Sequence, residues 1–143
     1  MTAKQISIFI ENQPKSLSEL TTLLATNEVN LRALSLADSK DFGIVRIVSD
    51  DVYRASTVLK EAGYVYKIQE VIVLNIKDQA GELANVLTVL GSNEINVDYM
   101  YAFAAKKEKT VNMVLRISDY KAATEVLLNA GLHPVGQDEI EKY

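Results

Sequence analysis

Hydrophobic residues alternate with polar ones near the start of the chain and then change period. Isoleucines occupy every second position of the first stretch: Ile6, Ile8 and Ile10. This period is typical of a β-strand with one buried face. Leucines then recur at the spacing of one face of an α-helix: Leu17, Leu20 and Leu24. The chain is therefore predicted to open with a strand followed by a helix.

The same order of patterns returns in the second half of the chain. A strand is predicted over residues 71 to 76, where the apolar run ends at Leu74, and four residues at helical spacing follow it: Leu83, Val86, Leu87 and Leu90. TNEVNL, which ends at Leu31, returns 66 positions later as SNEINV, and EAGY returns 68 positions later as NAGL. Such a repeat predicts two copies of one unit, at residues 1 to 69 and 70 to 143, with a short insertion near residues 106 to 109.

Each copy continues with two more strands and a second helix. The strands are predicted around residues 29 to 37, 42 to 48, 96 to 104 and 110 to 117. The second helices are flanked by residues that prefer helix ends, aspartate before and glycine after: Asp51 and Gly63, then Asp119 and Gly131. SLSE at residues 16 to 19 has the form of a capping box, which predicts that the first helix begins there.

Short closing strands are predicted at residues 64 to 68 and 133 to 135. The order in each copy is then βαββαβ. This order predicts an α+β fold of two ferredoxin-like units in tandem, with eight strands in antiparallel sheets and the helices of each unit on one face. A unit of about 70 residues buries little surface by itself, so the two copies are expected to associate.

Composition excludes several classes of protein. The 143 residues include no cysteine, which excludes disulfides, thiol nucleophiles and thiolate metal sites. A net charge of -4 argues against a nucleic-acid partner, because phosphate binding needs clustered Lys and Arg. No apolar run approaches the roughly 18 residues of a membrane span, and the first residues do not read as a signal peptide. A cytoplasmic protein without membrane contact is expected.

The motifs of catalysis are missing as well. The chain contains no glycine-rich phosphate loop and no serine in a nucleophile elbow. The single histidine, His133, opens a predicted strand beside Pro134, where a structural or solvated role is expected. The sequence therefore predicts no catalytic residue, no metal site and no cofactor.

The order of the loop motifs resembles the ACT domain, a regulatory amino-acid-binding module attached to many enzymes of amino-acid metabolism. The motifs read NQPKSL and NEVNL in the first copy, and DQAGEL and NEINV in the second. Together the two copies cover nearly the whole chain. The resemblance implies that a small amino acid binds across the interface between paired domains, at the loop into the first helix and at the start of the second strand.

The resemblance places ligand-binding residues in both copies. The candidates in the first copy are Asn12, Pro14, Asn30 and Leu31. The candidates in the second copy are Asp78, Ala80, Gly81, Glu82, Leu83, Asn96 and Val97. Family loops carry Pro followed by Gly, whereas here the first copy has Lys15 after its proline and the second has alanine before its glycine. The second loop is therefore the stronger candidate.

The chemistry of these residue types suits a free amino acid. The start of a helix offers backbone N–H groups and partial positive charge to a carboxylate. Gly81 would let the backbone come close, and Asp78 or an Asn side-chain oxygen would accept from the ammonium. The alternative for each Asn and Asp is a purely structural role in turns, which a duplicated fold would also repeat.

The function expected from the sequence is that of a regulatory sensor without a catalytic domain. Its expected partners are a small amino acid, a second copy in a homodimer and an enzyme of amino-acid metabolism. The alternative is an interaction module that binds no ligand and serves as a regulatory subunit. The least favoured hypothesis is that the protein has an enzymatic activity of its own.

Overall fold

All 143 residues are described by the structure, a computed structural model. They form two compact units. The N-terminal unit comprises Lys4–Gln69 with Glu141–Tyr143, and the C-terminal unit comprises Glu70–Ile140 with Met1–Ala3. Each unit therefore includes a few residues from the far end of the chain.

The N-terminal unit contains four strands and two helices. They are β1 (Ala3–Glu11), α1 (Ser16–Thr26), β2 (Leu31–Asp38), β3 (Phe42–Ser49), α2 (Val52–Glu61) and the first part of β4 (Val65–Lys77). The strand order is β2-β3-β1-β4, so β2 lies at the edge. The β1·β3 and β2·β3 pairs are antiparallel, and a bulge interrupts the register between Leu31 and Ala33.

The C-terminal unit repeats this arrangement. After the second part of β4 come α3 (Glu82–Ser92), β5 (Tyr99–Ala104), β6 (Thr110–Arg116), α4 (Tyr120–Asn129) and the short α5 (Gln137–Glu141). The strand order is β4-β6-β5, and both pairs are antiparallel. The predicted α+β fold with antiparallel sheets is confirmed.

The structure has six strands where eight were predicted. The closing strand of the first unit and the opening strand of the second are one strand, β4, because no glycine or proline interrupts residues 65 to 77. The strand predicted at residues 133 to 135 is reduced to a bridge between Leu74 and Pro134. Proline has no N–H to donate to a ladder, which limits pairing at this point. The helix α5 was not predicted.

The helix starts agree with the prediction for two helices and correct it for a third. Asp51 caps α2 by accepting from the Arg54 N–H at 2.9 Å, and Asp119 caps α4 by accepting from the Ala122 N–H at 3.1 Å. The start of α1 at Ser16 is confirmed, but the capping box is wrong. Ser16 is the first helical residue, and the capping position belongs to Lys15, whose side chain makes no capping hydrogen bond.

The repeated phrase NE forms a helix C-cap. Glu28 and Glu94 follow the last residues of α1 and α3, and both have φ of 58°, in the left-handed region. The Glu28 N–H donates to the Ala25 carbonyl at 3.0 Å, and the Val29 N–H donates to the Leu24 carbonyl at 2.9 Å. This pair of hydrogen bonds is a Schellman motif. The same motif ends α3, where the Ile95 N–H donates to the Leu90 carbonyl at 3.0 Å.

Each unit has one hydrophobic core between its helices and its sheet. The N-terminal core consists of Ile6, Ile8, Ile10, Leu20, Leu24, Val29, Val45, Ile47, Ala55, Val58 and Leu59. The C-terminal core consists of Ile72, Leu74, Ile76, Val86, Leu90, Met113, Leu115, Ile117, Ala123 and Leu127. No helix combines the length and the hydropathy needed to span a membrane.

Candidate functional site

The loops that lead into α1 and α3 have the same backbone geometry. The Asn12 N–H donates to the Asp41 carbonyl at 3.2 Å, and the equivalent Asp78 N–H donates to the Lys109 carbonyl at 2.9 Å. Each loop is thereby fastened to the turn between the second and third strands of its unit. The side chains of both residues are exposed, like those of Pro14 and Ala80. The two predicted loops are thus accessible from solvent.

Both loops leave the following helix without a side-chain cap. Lys15 and Gly81 occupy the capping positions with φ of 75° and 93°, and neither α1 nor α3 receives a side-chain hydrogen bond there. In contrast, the other long helices are capped by Asp51 and Asp119. The Ser16 and Glu82 N–H groups donate to the Gln13 and Gln79 carbonyls at 3.3 and 3.2 Å. The N–H groups that follow them in the first turn, together with the positive end of the helix dipole, suit a carboxylate.

Gly81 meets a conformational requirement and leaves its surroundings open. A Cβ added at this position would have no heavy atom within 4 Å, so the glycine is not required by packing. Its φ of 93° is disfavoured for residues with a side chain. Lys15 adopts nearly the same left-handed conformation in the first loop. The backbone of the first loop therefore follows the same path as that of the second, although Lys15 has a side chain.

Replacing Lys15 by glycine is expected to stabilise the fold by about 1 kcal/mol, because a left-handed conformation costs roughly that much for a residue with a side chain. Gly81→Ala, the matched variant in the second loop, should destabilise it by a similar amount. Urea unfolding of both variants measures the difference. Equal stability of Lys15→Gly and the wild type would contradict the assignment of strain to this loop.

Asn30 immediately precedes β2, whereas Asn96 lies three residues before β5, and the two are held differently. The Asn30 N–H donates to Asp50 Oδ1 at 2.9 Å, and the Asn30 carbonyl accepts from the Asp50 N–H at 3.0 Å. The Asn96 side chain donates to Asp98 Oδ1 at 3.3 Å, and Ser118 donates to the other Asp98 oxygen at 2.9 Å. Both asparagines are exposed, and Asn96 lines an open concavity of about 420 Å³.

The structure does not bring the loop and the asparagine of one unit together. Lys77, beside the loop, pairs with Thr110, whereas Tyr99, three residues after Asn96, pairs with Arg116 at the other end of β6. The 11 residues of α3 lie between them. At 1.5 Å per residue the helix is about 16 Å long, which exceeds the length of a small amino acid.

The remaining predicted residues have mixed environments. Leu31 packs against the N-terminal core, and Leu83 and Val97 pack against the C-terminal core. Glu82 lies in the first turn of α3 and is half-buried. Leu31, Leu83 and Val97 therefore contribute to folding, and the accessible polar groups belong to the loops and the asparagines.

A concavity beside the start of α1 was not found from the sequence. It encloses about 300 Å³, and its lining includes Gln13, Ser16, Glu19 and Tyr64. Burial, and then the Glu19 carboxylate, raise the pKa of the Tyr64 phenol above its usual value. These residues belong to the phrases NQPKSL, SLSE and EAGY, but no sequence pattern indicates that Tyr64 lies beside the start of α1. No cluster of three or more His, Asp or Glu side chains is arranged to hold a metal ion.

A family model described as an ACT domain pair matches residues 1–143. The chain belongs to the ACT domain pair family. The resemblance seen in the loop motifs is thereby confirmed, together with the tandem ferredoxin-like fold. An ACT domain pair is a regulatory module, known for amino-acid binding and without a catalytic domain.

Solved structures with the same fold include one at appreciable sequence identity. Protein BT0572 from Bacteroides thetaiotaomicron is 34% identical, with a TM-score of 0.93 over 100% of this chain and 98% of that one. The ligand-free regulatory subunit of aspartate kinase from Thermus thermophilus is 15% identical, with a TM-score of 0.63 over 89% of this chain and 91% of that one. The second likeness shows the fold alone. A search of curated protein sequences finds no match.

Proposed function

We propose that this ACT domain pair is an amino-acid sensor with no catalytic activity of its own. The observation that supports this function best is the pair of uncapped helix starts at Lys15 and Gly81. The chain caps α2 and α4 with aspartates, yet leaves these two helix starts open in the loops where the family motif lies. A ligand carboxylate would supply an acceptor for the first-turn N–H groups other than those of Ser16 and Glu82, which donate to loop carbonyls.

The ligand ammonium needs an acceptor close to the same helix start. Asp78 in the second loop offers a carboxylate, and Asn12 in the first loop offers an amide oxygen. Both side chains are exposed at the loop. The second loop therefore has the stronger partner for an ammonium, because hydrogen bonds between charged groups are stronger than hydrogen bonds between neutral groups.

The asparagines complete the proposed site from a different ACT domain. Because α3 separates the loop from Asn96 within one unit, one small ligand cannot reach both. We infer that the loop of one ACT domain and the asparagine of another hold the ligand together. Binding would then stabilise the association of two ACT domains, which is the physical basis of a regulatory effect.

The regulated partner is proposed to be an enzyme of amino-acid metabolism. Regulatory subunits of aspartate kinase have this fold, which supports a role as a separate regulatory chain. The alternative, an interaction module without a ligand, is favoured by the exposed apolar side chains of the N-terminal unit, among them Phe9 and Phe42 at 44% and 57% exposure. Ligand binding separates the two functions.

A cognate amino acid is expected to raise the free energy of unfolding by about 2.7 kcal/mol at a hundredfold excess over its dissociation constant. A thermal-shift screen of the standard amino acids identifies it, and calorimetry gives the affinity. Asp78→Ala and Asn96→Ala should each weaken binding by about 1 to 3 kcal/mol, because each removes a polar partner of the ligand. Asn30→Ala should have a smaller effect if the first loop binds more weakly.

Ligand-free stability provides the control for these variants. Exposed loop substitutions change stability by about 0.5 kcal/mol or less. If Asn96→Ala lowers the ligand-free melting temperature sharply and leaves the affinity unchanged, its role is to hold the turn with Asp98. If no amino acid shifts the melting temperature of the wild type, the ligand-free interaction module is the better function.

A further inference from the structure

The last residues of the chain return to the unit in which the chain begins. Glu141–Tyr143, here called the C-terminal tail, belong to the N-terminal unit, although the chain leaves that unit after Gln69. The helix α5 ends at the first residue of the tail, and its Ile140 side chain is fully buried. Tyr143 itself is half-buried. A chain terminus that is buried to this degree is held in place by the fold.

One side chain of the N-terminal unit holds the tail. Arg32 Nη2 donates to the Glu141 carbonyl at 3.1 Å, and the two residues are 109 positions apart in the chain. Glu141 is the last residue of α5, so no later turn of the helix supplies a donor to this carbonyl. Basic side chains often provide that donor at helix C-termini. Arg32 thus caps α5 from a strand that lies early in the chain.

A bulge in β2 accounts for the direction of this arginine. Leu31 pairs with Ser49, and Ala33 pairs with Val48, the next residue along β3. Arg32 is therefore the extra residue of the bulge. Bulges turn a side chain away from the regular alternation of a strand.

The duplication shows that the fold does not require an arginine at this position. At the repeat offset of 66, Arg32 corresponds to Asp98, which has the opposite charge. The Asp98 carboxylate is held by its own neighbourhood, because it accepts from the Asn96 side chain at 3.3 Å and from the Ser118 hydroxyl at 2.9 Å. The tie to the tail is therefore a property of the first copy.

The tie lies beside a residue of the proposed binding site. Asn30 precedes Arg32 by two positions, and the Asn30 carbonyl accepts from the Asp50 N–H at 3.0 Å. The start of β2 is thus fixed at two points, to Asp50 through Asn30 and to the tail through Arg32. Arg32 Nε is buried without a hydrogen-bond partner, which opposes the tie, because water would reach this group if the tail detached. The attached and detached states are therefore close in free energy.

We propose that Arg32 is a positioning residue for Asn30 and that it acts by tying the start of β2 to the C-terminal tail. The role of Asn30 in binding rests on the proposed function. A partner protein that draws the tail away would weaken the part of the site that Asn30 provides. The part that Asn96 provides would keep its affinity, since Asp98 is held locally. The two copies would then differ in regulation although they share a fold.

Tryptophan fluorescence tests the tie without a ligand, because the chain contains no tryptophan. In Tyr143→Trp the single indole reports on the tail, and its anisotropy should be that of the folded chain. Adding Arg32→Ala should lower the anisotropy to that of a mobile segment, whereas Arg32→Lys, which keeps a donor, should preserve it. Arg54→Ala is the matched control and should change nothing, because Arg54 pairs with Glu28 and Asp51. The same anisotropy with and without Arg32→Ala would overturn the tie.

Amide hydrogen exchange tests the positioning in a chain with its native tail. Arg32→Ala should raise the exchange rate of the Asp50 N–H, which donates to Asn30, by about tenfold, because the start of β2 would open more often. The Asp98 N–H, which donates to the Arg116 carbonyl at 2.9 Å, is the control and should keep its rate. Removal of residues 141–143 should have the same effect, and combining both changes should add nothing. An unchanged Asp50 rate would overturn the positioning role.

Amino-acid affinity separates this proposal from the proposed function. The standard amino acids are the probes, tested one at a time in an Asn96→Ala background so that the part of the site with Asn30 dominates. An amino acid that binds should do so at least about threefold more weakly after Arg32→Ala or after removal of residues 141–143. Equal affinity with and without the tail would overturn the positioning role. If no amino acid binds the wild type, the proposed function fails, and the exchange rate of the Asp50 N–H still decides whether Arg32 positions Asn30.

Discussion

Replacing Leu90 by alanine is expected to lower the free energy of unfolding by about 3 kcal/mol, within a range of roughly 2 to 5 for buried leucines. Leu90 is 1% exposed and packs in the C-terminal core. Its side chain lies on the buried face of α3, while its carbonyl accepts from the Ile95 N–H in the helix C-cap. The substitution keeps that backbone bond and removes only side-chain packing, so the loss measures the core itself.

Leu128→Ala is the matched control, because Leu128 lies on α4 but is 38% exposed. Its expected loss is below about 1 kcal/mol, since less apolar surface returns to water. Urea unfolding of both variants gives the comparison, provided that the slope with denaturant does not change. Similar losses for the two leucines would mean that the side chain of Leu90 is not tightly packed.

Periodicity and helix caps were sufficient to predict most of the fold. The alternation of isoleucines marks β1, and the spacing of leucines marks α1, because each pattern records which side of the element is buried. Asp51 and Gly63 mark the two ends of α2. Asp51 accepts a hydrogen bond from an N–H group of the first turn, and Gly63 adopts the left-handed conformation that follows the last turn. The repeat supported the elements with weaker patterns, because each element was predicted at the corresponding position of both copies.

The join between the copies was predicted less well. Two strands were expected around residue 69, and the chain makes one long strand, β4. A continuous run of strand-forming residues contains no local signal that separates a strand shared by two units from two strands joined by a tight turn. At the C-terminus the opposite happened, because Pro134 limits the last predicted strand to a bridge.

The candidate site was predicted as a set of loop and strand residues at an interface between paired domains. The motifs located the loops at Asn12 and Asp78, and the structure gives them matching backbone geometry. The sequence already placed the loop before the predicted helix and Asn96 after it, so the separation of the two by α3 follows from the length of that helix. The motifs could not reveal the uncapped helix starts, which depend on hydrogen bonds that are missing.

The repeated phrase NE has the same backbone geometry in both copies. Glu28 and Glu94 are each the left-handed residue of a Schellman motif, with φ of 58°. The other two long helices use Gly63 and Gly131 there, with φ of 81° and 79°. Glycine enters this region without steric cost, whereas a residue with a Cβ is strained by roughly 1 to 2 kcal/mol.

Glu28→Gly and Glu94→Gly are each expected to raise the free energy of unfolding by about 1 kcal/mol, once the greater entropy of glycine in the unfolded chain is subtracted. The double variant should gain about 2 kcal/mol, because the two caps lie in different units and share no partner. Glu28 also forms an exposed ion pair with Arg54 at 3.8 Å, which contributes little at the surface.

The reverse substitutions complete this test. Gly63→Ala and Gly131→Ala place a Cβ in the same conformation at the ends of α2 and α4, and each should lose about 1 kcal/mol. Neither glycine has a heavy atom within 4 Å of an added Cβ, so the loss would come from the backbone and not from packing. If the glutamate variants are instead less stable than the wild type, the side chains of the repeated phrase have a favourable role that the backbone does not explain. Amino-acid affinity measured on the same variants would then show whether that role is ligand binding.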